Sequence, residues 1–192
     1  MRARLGFLFL SLLIGFAPAA NTQGNPTLQE TQEWISQNFD IVAKGDTICK
    51  NGAQQVRSNR NLSWSSCTLS WTLGMGGIQS GRLGCDFDAR IREYSVNLRD
   101  LDPEKIDYDY VAFGSGLGVL TLNLHTRDRQ KKVKRKDTLR ISGQAQTTTP
   151  EEFLEEAYFY TTDENSIRGR MTSAFEHAIR LCGGTASKPE PF

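Results

Sequence analysis

Seven residues near the C-terminus constrain the fold more than any other feature of the chain. Taking Phe175 as origin at about 100° per residue, Ile167, Met171, Ala174, Ala178, Ile179 and Cys182 fall on its side of a helix. The spacing predicts a helix over Glu164 to Cys182, with Thr161 and Glu164 capping its start and Gly183-Gly184 supplying a left-handed stop. An apolar stripe of this width needs a second apolar surface to cover it. Burial of Ile167, Met171, Phe175 and Ile179, at about 1.5 to 3 kcal/mol each, is enough to dock the element.

The covering surface is legible in the preceding segment, where the period changes to two. Cys67, Leu69, Trp71 and Leu73 alternate with Thr68, Ser70 and Thr72, as a strand with one wet face does. Leu62 to Leu73 reads as one strand, and Gly74 to Gly77 as a hairpin link. Leu83, Cys85, Phe87, Ala89 and Ile91 repeat the alternation against Asp86, Asp88, Arg90 and Arg92. Tyr94, Val96 and Leu98 begin in the other phase, which predicts a bulge near Arg92-Glu93. Asp102-Pro103 turns the chain into Ile106, Tyr108 and Tyr110. Gly114-Ser115-Gly116 turns it again into Leu120, Leu122 and Leu124, before strands at Leu139-Ile141 and Tyr158-Tyr160. In front of the strands, Thr27-Leu28-Gln29-Glu30 forms a capping box, and Leu28, Ile35 and Phe39 recur at helical spacing, so a helix runs from about Thr27 to Asn38.

The expected class is therefore α+β. Seven or eight antiparallel strands in meander order, as a barrel or two packed sheets, carry an N-terminal helix and a C-terminal helix packed on the sheet. About 170 residues suit one domain, 21–184, with 185–192 as an unstructured tail.

Met1 to Ala20 lies outside that domain. Arg2 and Arg4, the apolar run Gly6 to Phe16 and the small residues Ala17-Pro18-Ala19-Ala20 have the layout of a cleaved signal peptide; the run is too short to span a bilayer. The expectation is a secreted or periplasmic protein without a transmembrane segment. Asn61-Leu62-Ser63 fits a glycosylation sequon, which has meaning only in a eukaryotic source. Four cysteines in an exported chain point to two disulfides. Cys85 with Cys182 is preferred, since both fall on core-facing positions and would join sheet to helix; Cys49 with Cys67 follows by elimination. No C-x-x-C occurs and the chain has two histidines, so neither a zinc site nor any other metal or cofactor is expected.

Charge is unevenly spread. Without Arg2 and Arg4, 21 basic residues face 22 acidic ones, which argues against a general nucleic-acid binder. Arg127 to Asp137 nevertheless holds seven basic residues and two aspartates. His125-Thr126 and Thr138 to Ser142 flank this run, so it reads as a long hairpin end. Arg127, Arg129, Lys131, Lys132, Lys134, Arg135 and Lys136 would then point to both sides of an uncovered ribbon. They are either a solvated tip that discourages edge pairing or a contact for an anionic surface. No aromatic residue interleaves the run, against single-strand nucleic-acid binding.

Catalytic signatures are absent by pattern. The glycine runs Gly74–Gly77 and Gly114–Gly118 lie between strands, whereas a phosphate loop opens a helix. His177 falls opposite the helix stripe and His125 shares the polar side of Asn123, so neither is set beside a nucleophile. The carboxylate pairs Asp86 and Asp88, Asp100 and Asp102, and Asp107 and Asp109 leave a hydrolase as the rival reading; such an enzyme needs one acid in apolar surroundings.

The closing "MTSAFEHAIRLCGG", Met171 to Gly184, with the less specific "LRDLDPEKI" of Leu98 to Ile106, resembles exported bacterial proteins of unknown function in which a helix ending A-I-x-L-C closes a small β-domain. The element order is also similar to a pleckstrin-homology-type domain, although the N-terminal helix is extra and no phosphoinositide motif is assigned. These resemblances imply a fold and no activity. The leading expectation is an exported, non-enzymatic interaction or ligand-binding domain whose partner is a protein or an anionic surface.

Overall fold

The computed structural model describes residues 25–39, 42–48, 54–77, 89–113, 117–140, 145–161 and 165–186. The signal-peptide segment, Cys49, Cys85, the pair Asp86 and Asp88, Glu164 and residues 187–192 lie outside them.

The first helix, α1 (Leu28–Gln37), starts where the capping box places it. The Thr27 hydroxyl accepts from the Glu30 amide at 3.3 Å while the Glu30 carboxylate accepts from the Thr27 amide at 2.7 Å. The strands follow as β1 (Val42–Ile48), β2 (Gln54–Ser65), β3 (Thr68–Gly77), β4 (Ala89–Asn97), β5 (Leu101–Phe113), β6 (Leu117–Thr126), β7 (Val133–Arg140), β8 (Thr147–Thr148), β9 (Glu152–Leu154) and β10 (Glu156–Thr161), before α2 (Asn165–Leu181). All pairings are antiparallel. One sheet runs β1-β2-β3-β4-β7-β8, with β9 extending the β7 edge; the other runs β10-β6-β5. The molecule is thus α+β with two sheets, and the barrel alternative does not form. Meander order breaks where β5 and β6 leave for the second sheet and β7 returns to pair with β4, and again where β10 leaves to pair with β6.

The C-terminal helix does what its stripe requires. Met171, Phe175, Ala178 and Ile179 are fully buried, and Phe175 meets Phe159 of β10 at 5.1 Å between ring centroids. Phe39 and Trp71 close on the same Phe159 ring from the N-terminal segment and from β3, at 5.1 and 6.3 Å. Gly183 takes φ +85°, and the Gly184 and Gly183 amides donate to the Ile179 and Arg180 carbonyls at 2.8 and 3.0 Å, the paired bonds of a Schellman stop.

Several local expectations need correction. Leu62 to Leu73 is not one strand: Ser66, at φ 54°, turns β2 back onto β3, which a polar Ser-Ser pair inside an unbroken alternation does not reveal. Gly74 to Gly77 continue β3 rather than turning; Gly74 sits so close to Ser58 that a Cβ would lie 2.8 Å from its hydroxyl. The turn assigned to Asp102-Pro103 falls earlier, on Leu98–Asp100, and buried Asp102 instead accepts from the Glu104 amide at 2.9 Å. The bulge near Arg92-Glu93 does not exist: β3 and β4 pair in unbroken register from Gly76↔Ala89 to Thr68↔Asn97.

The disulfide also differs. Cys67 pairs with Cys182, at 5.7 Å between Cα atoms. Both expected bridges, Cys85-Cys182 and Cys49-Cys67, would need a sulfur that this bond already uses. The reason is the β2-β3 turn, which lifts Cys67 out of the strand row where alternation had placed it. It stands beside the last turn of α2, and the Leu98 amide donates to its carbonyl at 2.8 Å.

Candidate functional site

Unbroken register in β4 puts Arg90, Arg92, Tyr94 and Val96 on one face of the sheet. Cross-strand partners extend the rows. Leu69 and Val133 lie with Val96, Trp71 and Arg135 with Tyr94, Leu73 and Asp137 with Arg92, and Met75 and Arg57 with Arg90. The face therefore grades from apolar at one end to four arginines at the other, all directed toward the interior. A bulge would have sent Arg90 and Arg92 to the outside, and that assumption hid them from sequence reading.

Strand β10 crosses above this gradient and divides it. Ala157 and Phe159 point into the core beneath α2, while Tyr158 and Tyr160 point the other way. The outer edge of β10 is capped by side chains. The Asn59 amide donates to the Tyr160 carbonyl at 2.6 Å and accepts from the Tyr160 amide at 2.9 Å, as a neighbouring strand would, and it also donates to the Phe39 carbonyl at 2.8 Å. Trp71 Nε1 donates to the Tyr158 carbonyl at 3.2 Å.

On the polar side a network is locked in place. The Arg92 guanidinium donates to the Tyr158 hydroxyl, and its Nε lies 3.3 Å from Asp137 Oδ2. Arg135 Nε stands 3.3 Å from Asp137 Oδ1, and its outer nitrogen pairs with Glu152. Arg57 donates to the Tyr160 hydroxyl at 3.2 Å. Tyr94 stacks on Trp71 and meets Tyr158 edge-on at 5.8 Å. Burial pushes the Tyr94 phenol up, Tyr158 adds to the shift and Arg92 opposes it. Burial also raises the Tyr160 phenol, against the pull of Arg57. Arg135 Nε and Asp137 Oδ1 face each other without a hydrogen bond of good geometry, and the buried Tyr94 hydroxyl lies against Tyr158 and the Arg135 guanidinium.

Beside Tyr158 and Arg135 the surface opens into a groove of about 900 Å³. It lies where the chain crosses twice between the sheets, from β6 to β7 and from β9 to β10. Thr126 ties the two crossings, with its amide donating to Glu155 O at 2.8 Å and its hydroxyl donating to Gln130 O at 2.6 Å. The lining from the first sheet and its crossing includes Arg129, Lys131, Arg135 and Glu152. The second sheet brings Asp107, His125 and Glu156. His125 Nε2 is 2.9 Å from Asp107 and Nδ1 is 3.6 Å from Glu156. Phe153 stands at the rim 52% exposed. A second cleft of about 470 Å³, between α1 and α2, is lined by Pro26, Trp34 and Ala174; there Arg170 lies 4.8 Å over the Trp34 ring and His177 contacts the Pro26 carbonyl at 2.6 Å.

The basic run is not a hairpin end. Its flanks belong to different sheets, because β6 pairs with β5 and β10 while β7 pairs with β4 and β9. Asp128 and Arg129, at φ 54° and 51°, make the corner between them. Acidic neighbours then meet the cations: Lys134 lies 2.5 Å from Glu151, Arg135 pairs with Glu152, Lys136 sits across from Glu93, and Arg127 lies 3.9 Å from Asp128 and donates to Thr185 at 2.8 Å. Arg129 and Lys131 reach the groove, and Lys132 is exposed with its amide on Leu154 O. What sequence reading missed is the acidic strand pair that accompanies the run.

Of the carboxylate pairs, Asp107 and Asp109 are exposed and share the Asn123 amide at 2.9 and 3.2 Å. Asp100 lies in the turn before β5, and Asp102 serves as a local cap. Among the described residues no helix is long and apolar enough to cross a membrane, and no group of three or more His, Cys, Asp or Glu side chains has the arrangement to hold a metal ion. The chain matches no family model, no curated protein and no solved structure with which it was compared.

Proposed function

We propose that the protein is a non-enzymatic binding domain acting in an oxidising, extracytoplasmic compartment, with the groove beside Tyr158 and Arg135 as its ligand seat. One observation carries the reading: Tyr158 and Arg135 line the groove and are held from behind by Arg92 and Asp137, while the rim leaves Phe153 exposed. A floor fixed before the ligand arrives lowers the ordering cost of binding, and an exposed aromatic supplies contact area. Export is supported by the layout of Met1 to Ala20 and by the Cys67-Cys182 bond.

Hydrolysis is less well supported. Asp107 and Asp109 sit in water rather than in the apolar surroundings that hold a general acid protonated. His125 is flanked by two carboxylates, with no hydroxyl or thiol hydrogen-bonded to it among the described residues. Binding to an anionic membrane through residues 127–136 is weakened by the acidic partners of Lys134 and Arg135.

The test is a panel of saccharides, short peptides and small polar solutes titrated calorimetrically against the domain, its Phe153→Ser variant and its Tyr158→Ala variant. At least one solute should bind the unmodified domain and lose tenfold or more in both variants. Binders that ignore both changes, or a panel without binders, would remove the groove as the seat.

A further inference from the structure

We infer that His125 is a proton-operated clamp: doubly protonated, its ring ties the start of β10 to β5 across β6, and loss of one proton releases the β10 side and loosens that wall of the groove. The device stands apart from what the groove binds.

Backbone pairing in the three-stranded sheet thins out at this row. β10 follows β6 in unbroken register from Thr161↔Leu120 to Glu156↔His125, so His125 faces the first residue of β10. On the other side β5 and β6 pair from Phe113↔Leu117 to Ile106↔Leu124 and meet again only at Leu101↔Thr126. Residues 102–105 therefore pass His125 without a ladder partner in β6, and side chains make the connection instead. Nε2 lies 2.9 Å from Asp107 Oδ2 on β5, and Nδ1 lies 3.6 Å from Glu156 Oε2 on β10. Asp107 is held a second time, by the Asn123 amide at 2.9 Å. Among the described residues the Glu156 carboxylate has no second partner.

Proton count decides how many of these contacts the ring can serve. An imidazolium donates from both nitrogens, whereas the neutral ring donates from one and accepts at the other. The shorter contact, to the carboxylate that Asn123 already fixes, keeps its N–H. Nδ1 then turns a lone pair toward Glu156, acceptor against acceptor, and the first residue of β10 is let go. Other charges share the groove with the ring: Glu104, 3.5 Å from Arg180, and Lys105 from β5, and Glu155 from the crossing before β10. Arg129, Lys131 and the Arg135-Glu152 pair face it from the opposite wall. Of these side-chain types only imidazole ordinarily changes charge between pH 5 and 8. The Asp107 and Glu156 side chains are 61% and 59% exposed, so water screens both contacts and the effect stays local to this row.

The experiment follows the His125 ring nitrogens and the exchange of backbone amides by NMR between pH 5.5 and 8.0, with exchange rates corrected for the intrinsic effect of pH. Both ring nitrogens should carry protons at pH 5.5 and Nε2 alone at pH 8.0. Protection of the amides of residues 156–158 should fall about threefold or more across that range, while the Leu122 amide, in the middle of β6, changes less than twofold. The fall should vanish in His125→Gln and also in Glu156→Gln, which leaves the ring in place to titrate. His177→Gln, which removes the other histidine, should keep it. Unchanged protection, an equal fall in Glu156→Gln, a proton retained on Nδ1 at pH 8.0, or loss of the effect in His177→Gln would each overturn the inference.

Discussion

Phe159 and Tyr158 are neighbours on one strand and occupy opposite regimes. Around Phe159 the contacts are the rings of Phe175 from α2, Trp71 from β3 and Phe39 after α1, and of these only Trp71 carries a polar group, its Nε1 donating to the Tyr158 carbonyl. Around Tyr158 rings and charges mix: the Tyr94 and Tyr160 rings meet it edge-on while its hydroxyl accepts from the Arg92 guanidinium. The first region tolerates approximate shape, because apolar attraction has little direction. The second demands angles, because a buried polar group left unpaired costs about 1 to 3 kcal/mol. One strand thus separates the part of the interior that holds the fold from the part suited to recognising something.

The sharpest way to break this contrast is Phe159→Ala. It opens a cavity where three aromatic rings meet and should cost about 3 to 5 kcal/mol in a denaturant titration. A loss below about 1 kcal/mol would mean that the dry region does not carry the stability. Next is Asn59→Ala, which orphans both backbone groups of Tyr160 and the Phe39 carbonyl, and should cost about 3 kcal/mol by the same measurement. Tyr158→Phe keeps the ring and removes the hydroxyl from Arg92; about 1 to 2 kcal/mol is expected, together with weaker ligand binding.

Alkali probes the polar region through two of its phenols. The Tyr94 and Tyr160 phenols are raised by burial, so the folded chain keeps these protons more tightly than the unfolded chain does. Their stabilisation is complete below about pH 10 and is lost as pH climbs through the folded values. Stability followed by circular dichroism should therefore decline above pH 10, and less steeply in Tyr94→Phe; equal slopes would contradict the assignment. The smallest effect is expected at the rim, where Phe153→Ser should change stability by no more than about 0.5 kcal/mol while abolishing groove binding.

The dry region was the legible one. The α2 stripe, the alternation through Leu69, Trp71 and Leu73 and the Leu120-Leu122-Leu124 row all report burial of apolar side chains, which leaves a periodic trace in sequence. The polar region leaves none. Arg90 and Arg92 share the phase of Tyr94 and Val96, and hydropathy alone reads arginine as outside, so a shift of register was inferred where the strand runs straight. The basic run misled in a related way: a chain of cations looks like an exposed arm until the pairing of β7 with β4 and β9 supplies Glu93 and Glu152 from distant sequence. Thr121 and Asn123, buried on the side of Tyr158 and Tyr160, could not be told from a washed strand face for the same reason.

The Cys67-Cys182 bond fixes an order of events. Its second sulfur lies one residue beyond α2 and 115 positions after the first, so during synthesis Cys67 cannot meet its native partner until the strands and α2 have been made. Closure is then a late step that needs an oxidant from the surroundings, and it locks the tip of the β2-β3 hairpin to the end of the last helix only after both sheets have had the chance to assemble.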